Sequence, residues 1–249
     1  MFDAETYLRA IGHTGAVAPD LPTLRALHRR HAEAIPYRSD PQDPLMNKAI
    51  STWDWDEVFR RSIVDGRGGN CFEVNETFGR LLWSIGFEVD RLSASSLLPD
   101  GRYGPEIEHQ ALLVKLDGES YLVDVGFGQP TSVDPLPVES AAQGSFRVVT
   151  SGEWHSYERR SKDKWIPVYR FKLVHRSLDD WDFQSEEFVN LANDIPVARL
   201  RVISRVVDGS TLTLSGKRFW KHNADEETFR MILDRAEFED LTRLILNEN

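Results

Sequence analysis

The sequence predicts an α+β fold on three observations. Helical periodicity dominates to about residue 86, strand patterns dominate from Phe87 to about Val189, and a hairpin followed by a helix closes the chain. In the first segment Asp3 is placed to cap a helix carrying Tyr7, Leu8 and Ile11, with Gly12 at its end. Leu24, Leu27, His31 and Ile35 trace one face of a second helix that stops before Pro36, and His28 and His31 read as packing or surface residues. Tyr37 to Asn47 reads as a loop, with Trp53 and Trp55 beyond it as core anchors. Val74, Phe78, Leu81, Leu82 and Ile85 then recur at helical spacing until Gly86.

The middle segment carries FEVDRL, ALLVKL, YLVDVGF, FRVVT and YRFKLV, separated by Pro, Gly and Asp clusters, which predicts a small barrel or strongly curved sheet. In the last, RLRVISRVV pairs with TLTLSGKRFW across Asp208-Gly209-Ser210, and a helix is expected from about Asp225 to Leu246, acidic on its exposed side. The domain reading is therefore 1–86, 87–189 and 190–249, without repeats, low-complexity tracts or a flexible linker.

With 249 residues, 41% of them hydrophobic, the chain can build a full core. A net charge of −10 argues against a nucleic-acid partner, and any phosphate must find a local basic patch. Lys162, Lys164, Arg199, Arg201 and Arg205 are available, and none is singled out. No segment is long and apolar enough to cross a bilayer, and the N-terminus lacks a basic stretch followed by an apolar one, so the expectation is a cytoplasmic protein without a membrane partner. A single cysteine excludes an intrachain disulfide and a Cys-rich zinc site, and no metal is expected.

That cysteine, Cys71, stands behind Gly68 and Gly69 on the first turn of a predicted helix, where unpaired N–H groups and the positive end of the dipole favour an anion. The alternative is a small buried apolar residue, and the choice turns on whether a histidine and a carboxylate can reach it. A two-residue Asp117-Gly118 hairpin sets Leu116 opposite Glu119 and His109 opposite Gly126, so that Asp124 lies on the diagonal from His109, on the same face. A loop one residue longer would send the two to opposite faces. An aspartate between Val123 and Val125 asks for a partner if buried; otherwise it is a strand-end residue bonding nearby amides.

Cys71 within RGGNCFEVN, His109 before a hydrophobic strand and Asp124 within YLVDVGFG resemble the three signature blocks of the arylamine N-acetyltransferase family. TYLRAIG and LRALHRRHAEAIPY resemble its opening helices, and the likeness covers about two thirds of the chain. The resemblance implies a helical bundle bearing the cysteine, a β-barrel bearing the histidine and aspartate, and an α/β lid, in a papain-like Cys-His-Asp arrangement. It implies an acyltransferase with no permanently bound cofactor, which moves an acyl group from acetyl-CoA or another acyl thioester through an acyl-Cys71 intermediate to an aromatic amine, hydrazine or hydroxylamine. The residue chemistry reaches the same reaction class: Cys71 attacks, His109 shuttles the proton, Asp124 holds the imidazole, and the Cys71 N–H is a first oxyanion donor. Gly68 and Gly69 either permit a tight turn or let substrate approach, or both.

Two departures from the family pattern are visible. Where the family has I-P-F-E-N, this chain has Ile35-Pro36-Tyr37-Arg38-Ser39, so Arg67 must find another carboxylate, and Tyr37 offers an aromatic wall with a hydroxyl. In NDIPVARLRVIS, Ala198 and Leu200 stand near the family's serine and phenylalanine. Tyr37, Phe127 and Leu200 are thus the expected substrate-binding residues. These changes favour a second possibility, an amide synthase resembling the family's antibiotic-pathway branch, which takes its acyl chain from an acyl carrier protein. A papain-like thiol hydrolase and a non-enzymatic binding protein are the remaining alternatives.

Overall fold

A computed structural model describes residues 1–249 except 41, 44, 46, 47, 99, 129, 130, 140, 141, 183–200, 224, 225 and 249, so Leu200 lies outside the described residues. Helix α1 (Ala4–Ala10) starts where the Asp3 carboxylate accepts the Thr6 N–H, and α2 (Leu21–Ala34) where Asp20 accepts that of Thr23. After strand β1 (Tyr37–Ser39), α3 (Trp55–Phe59) runs into a π-turn at Arg60–Val64. Helix α4 (Cys71–Ile85) begins with a reciprocal capping box, Asn70 accepting from the Phe72 and Glu73 N–H groups while Glu73 accepts the Asn70 N–H, and it ends at Gly86. His28 and His31 both pack inside the helical layer. Burial, with His28 nearby, lowers the His31 pKa to about 3, so it stays neutral beside the Tyr7 hydroxyl at 2.8 Å.

Strands β2 (Glu88–Ser96), β3 (His109–Leu116), β4 (Glu119–Val123), β5 (Leu136–Pro137), β6 (Phe146–Ser151), β7 (Trp154–Ser161) and β8 (Lys164–Phe171) form one antiparallel sheet in the order β5-β4-β3-β2-β8-β7-β6. Its edges β5 and β6 approach each other, giving a nearly closed barrel. Both faces of β3 are buried: Leu112 and Val114 pack on α4, while Ala111 and Leu113 join Leu122, Tyr157, Tyr169 and Phe171 in the barrel core. A second sheet, ordered β1-β9-β10-β11-β12, comprises β9 (Val202–Val207), β10 (Ser210–Ser215), β11 (Arg218–His222) and β12 (Glu227–Met231) with β1. Helix α5 (Arg235–Leu246) covers one face of it through Ile245 and Leu246. Strand β1, inside the predicted 1–86 segment, is thus an edge of the C-terminal sheet.

Several expected elements differ. The C-terminal helix begins at Arg235, capped by Asp234, because Thr228, Phe229 and their neighbours pair with the open edge of β11. TLTLSGKRFW is two strands of a second hairpin, turning at Gly216 and Lys217. Trp154–Ser161 is a strand although its charged outer face obscures the alternation, and YRFKLV stops at Phe171, leaving Leu173 and Val174 exposed. YLVDVGF leaves the sheet after Val123, so Asp124 opens the loop that follows.

Gly68 fixes the approach to α4. Its φ is +71°, and a Cβ there would lie 1.9 Å from the Pro36 carbonyl oxygen, so chain and not substrate fills the space. Gly69 is likewise crowded by its own chain, at the Glu73 side chain. Gly68→Ala is expected to destabilise the fold by roughly 2–4 kcal/mol, since backbone strain and a clash with a main-chain atom add. A urea midpoint unchanged from the wild type would contradict this.

Candidate active site

The Asp117-Gly118 hairpin is the two-residue form: Leu116 faces Glu119 and Leu112 faces Val123. His109 and Asp124 therefore share the barrel-facing side with Leu113 and Leu122, and His109 Nε2 lies 2.8 Å from Asp124 Oδ2. Cys71 acts on the same ring and favours its charged form. Cys71 is partly exposed, whereas His109 and Asp124 are 3% and 7% exposed. Of the three, Cys71 alone is not fully buried.

Electrostatics follow from that geometry. Burial opposes a charged His109, but the Asp124 carboxylate with its hydrogen bond, and Cys71 beyond the ring, prevail and raise the pKa to about 10. Burial pushes the Asp124 pKa upward, yet His109 and the N–H groups of Gly126 and Asn75 hold it below the usual carboxylate value. At neutral pH the pair is imidazolium with carboxylate, and the positive ring faces the sulfur.

The loop after β4 fits against α4 through Gly126, where a Cβ would come within 2.4 Å of Val74 and 3.2 Å of the Cys71 Cα. This close approach is the physical content of the DVGFG block. Phe127 stands edge-on to His109 at 4.9 Å, and Tyr169 lies 5.3 Å from the same ring, so two aromatic walls confine the imidazole. Tyr37 is bridged to Gly69 and packs on the same loop at Gly128; burial first, then the nearby Cys71, raises its pKa, so the hydroxyl stays protonated. Cys71 also touches the cluster of Trp53, Trp55, Phe72 and Trp181, with Ile107 and Leu178. Behind Asp124 lies a cavity of about 30 Å³, lined in part by His28, Tyr37, Phe127 and Ser204, too small for an aryl ring.

Sequence reasoning missed Asn75. One helical turn after Cys71, it donates to Asp124 Oδ1 at 3.0 Å and to the Gln110 carbonyl at 2.7 Å, and its Oδ1 accepts the Val125 N–H at 3.0 Å. A polar residue on the buried stripe of α4 was the available signal. Tyr169 gave none, being brought to His109 only by barrel curvature. Arg67 finds its carboxylate in Asp43, at 2.9 Å, while Arg61 pairs with both Asp43 and Glu73. Burial raises the Glu73 pKa against the pull of Arg61 and the Asn70 N–H. Among the described residues no group of His, Cys, Asp and Glu is placed to hold a metal, and no helix is long and apolar enough to cross a membrane.

Comparisons with known proteins bear on the family and the fold. A sequence model of the N-acetyltransferase family matches residues 20–247. The chain is 34% identical over 254 aligned residues to the proansamycin X synthase of Amycolatopsis mediterranei, covering 99% of this chain and 98% of that protein. It is 33% identical to the arylamine N-acetyltransferase of Mycolicibacterium smegmatis, over 74% of this chain and 69% of that one. The structure of Mycobacterium marinum arylamine N-acetyltransferase in complex with CoA superposes with a TM-score of 0.81 at 27% identity, covering 98% of this chain and 93% of that one. The chain belongs to the arylamine N-acetyltransferase family and is an acyltransferase.

Proposed function

We propose that the protein moves an acyl group from a thioester such as acetyl-CoA to an aromatic amine, hydrazine or hydroxylamine through an acyl-Cys71 intermediate. The observation that carries this is a partly exposed cysteine at a helix start whose neighbouring imidazole is buried on a carboxylate at 2.8 Å. The Cys71 sulfur attacks the thioester carbonyl, and the oxyanion meets the backbone N–H at the start of α4. The C–S bond to the donor breaks, and His109 protonates the departing thiol. The amine then attacks the acyl-Cys71 carbonyl, His109 takes its proton, and the amide leaves as the Cys71 thiolate reforms. Asp124 fixes the ring so that the nitrogen facing sulfur is the one that exchanges protons. Tyr37 and Phe127 line the approach and orient the aryl ring, and Arg67, Gly68 and Gly69 hold the turn that places Cys71.

A second reading concerns the acyl group. Similarity to a synthase over nearly the whole of both chains supports a long acyl chain, delivered by a carrier protein, and amide formation on an aryl amine. Intact mass after exposure to acetyl-CoA and to N-acetylcysteamine thioesters of increasing chain length, with and without an arylamine, tests both. One acyl adduct that the amine discharges as amide is expected. Adducts from long chains but not from acetyl-CoA favour the synthase reading, and discharge to water at the same rate without amine supports a hydrolase instead.

A further inference from the structure

Strand β1 places one residue toward the site and the next away from it. Tyr37 packs on the loop that carries Asp124, whereas Arg38 lies on the opposite face of the sheet. Arg38 faces Ile203 in β9, so Arg201, two residues earlier, shares its face. The Arg38 N–H also donates to the Gly69 carbonyl at 2.8 Å, which ties this cation to the turn between Arg67 and Cys71.

The four arginines of this corner are unequally paired. Arg61 and Arg67 have Glu73 and Asp43. Among the described residues Arg38 reaches a carboxylate only at 3.8 Å, in Asp40, and its buried Nε has no hydrogen-bond partner. Arg201 is exposed and makes no ion pair among the described residues. Arg38 is otherwise acted on by Arg201 and Arg67, which repel it, and by Asp40 and Glu248, which attract it; burial and the two arginines together lower its pKa. A half-buried guanidinium with an unused donor beside a second guanidinium that has no ion pair among the described residues is a fork that a phosphate oxygen pair would satisfy.

We propose that Arg38 and Arg201, backed by Arg67, form an anion subsite that holds a phosphate of the thioester donor. The inference rests on the thioester reading above. Its chemistry is common to two sources, the phosphates of free CoA and the phosphodiester of a carrier protein's phosphopantetheine arm. In a protein of net charge −10, such a local pair supplies attraction that the global field opposes.

Calorimetric titration of the full chain with pantetheine, 4′-phosphopantetheine and CoA tests it, on wild type, Arg38→Gln and Arg201→Gln. The phosphorylated ligands should bind wild type about ten-fold or more tightly than pantetheine, and each substitution should remove most of that preference while leaving pantetheine unchanged. Equal binding of 4′-phosphopantetheine and CoA assigns the subsite to the phosphate nearest the arm; a preference for CoA alone assigns it to the nucleotide phosphates. Wild type that binds all three ligands equally, or a preference that survives in both variants, overturns the subsite. Acylation of Cys71 by an N-acetylcysteamine thioester, which carries no phosphate, separately tests the reading beneath it. Loss of that acylation with the phosphate preference intact would remove the acyl-transfer mechanism and leave the anion site standing.

Discussion

Cys71→Ser is expected to lower amide formation by on the order of 10³-fold or more and to abolish the acyl adduct seen by mass, with little change in fold. A serine hydroxyl keeps the size and the position at the start of α4, where Asn70 and Glu73 supply the cap independently of residue 71. Thermal stability should therefore stay within about 1 kcal/mol of wild type. What changes is the nucleophile, because sulfur attacks a thioester carbonyl far more readily than a hydroxyl oxygen does. Transfer within about ten-fold of wild type would mean that Cys71 packs against its aromatic neighbours without reacting.

Asp124→Asn is expected to cost about 10³- to 10⁴-fold in kcat, and the geometry says why. Asp124 Oδ1 accepts two donors, the Gly126 N–H at 2.9 Å and the Asn75 amide at 3.0 Å, so an asparagine must keep its oxygen there. Its NH₂ group then faces His109 Nε2, which has to become an acceptor. The proton moves to the nitrogen that faces Cys71, and the ring is left neutral and unable to take a proton from the incoming amine.

The same variant changes stability with pH in a defined direction. His109 is raised to about 10, so its contribution is fully present below about 6.5 and declines as pH rises toward about 10. Asp124 is lowered, so its contribution is present above about 3.9 and lost as pH falls through its lower folded value. The stability difference between wild type and Asp124→Asn should thus be largest between about pH 4 and 6.5 and shrink on both sides. Urea unfolding across pH 3–10 measures it; a difference that does not vary with pH would mean that His109 and Asp124 are not charged partners.

Much of this was legible in the residues. The Asp-Gly hairpin fixed the parity of His109 and Asp124 because side chains alternate with period two, and the helical stripe behind Cys71 fixed where α4 begins and ends. The failures share a cause. Glu227–Met231 carries a weak local signal, and it became a strand because β11 presented an open edge beside it. Asn75 was visible as a polar residue on a buried stripe, but the Asp124 it serves is 49 residues away along the chain. The replacement of a family carboxylate by Arg38 could be read directly, whereas its repair through Asp43 could not.

The sequence by itself determined the place of Cys71 at a helix start and the hairpin that aligns His109 with Asp124, since each depends on spacing within one element or one turn. Only the tertiary structure decided that the Gly126 loop lies against Cys71, that Phe127 and Tyr169 enclose His109, and that Arg38, held only loosely by Asp40, shares a sheet face with Arg201. Those are contacts between elements far apart in the chain, set by barrel curvature and by the joining of β1 to β9, and periodicity carries no record of either.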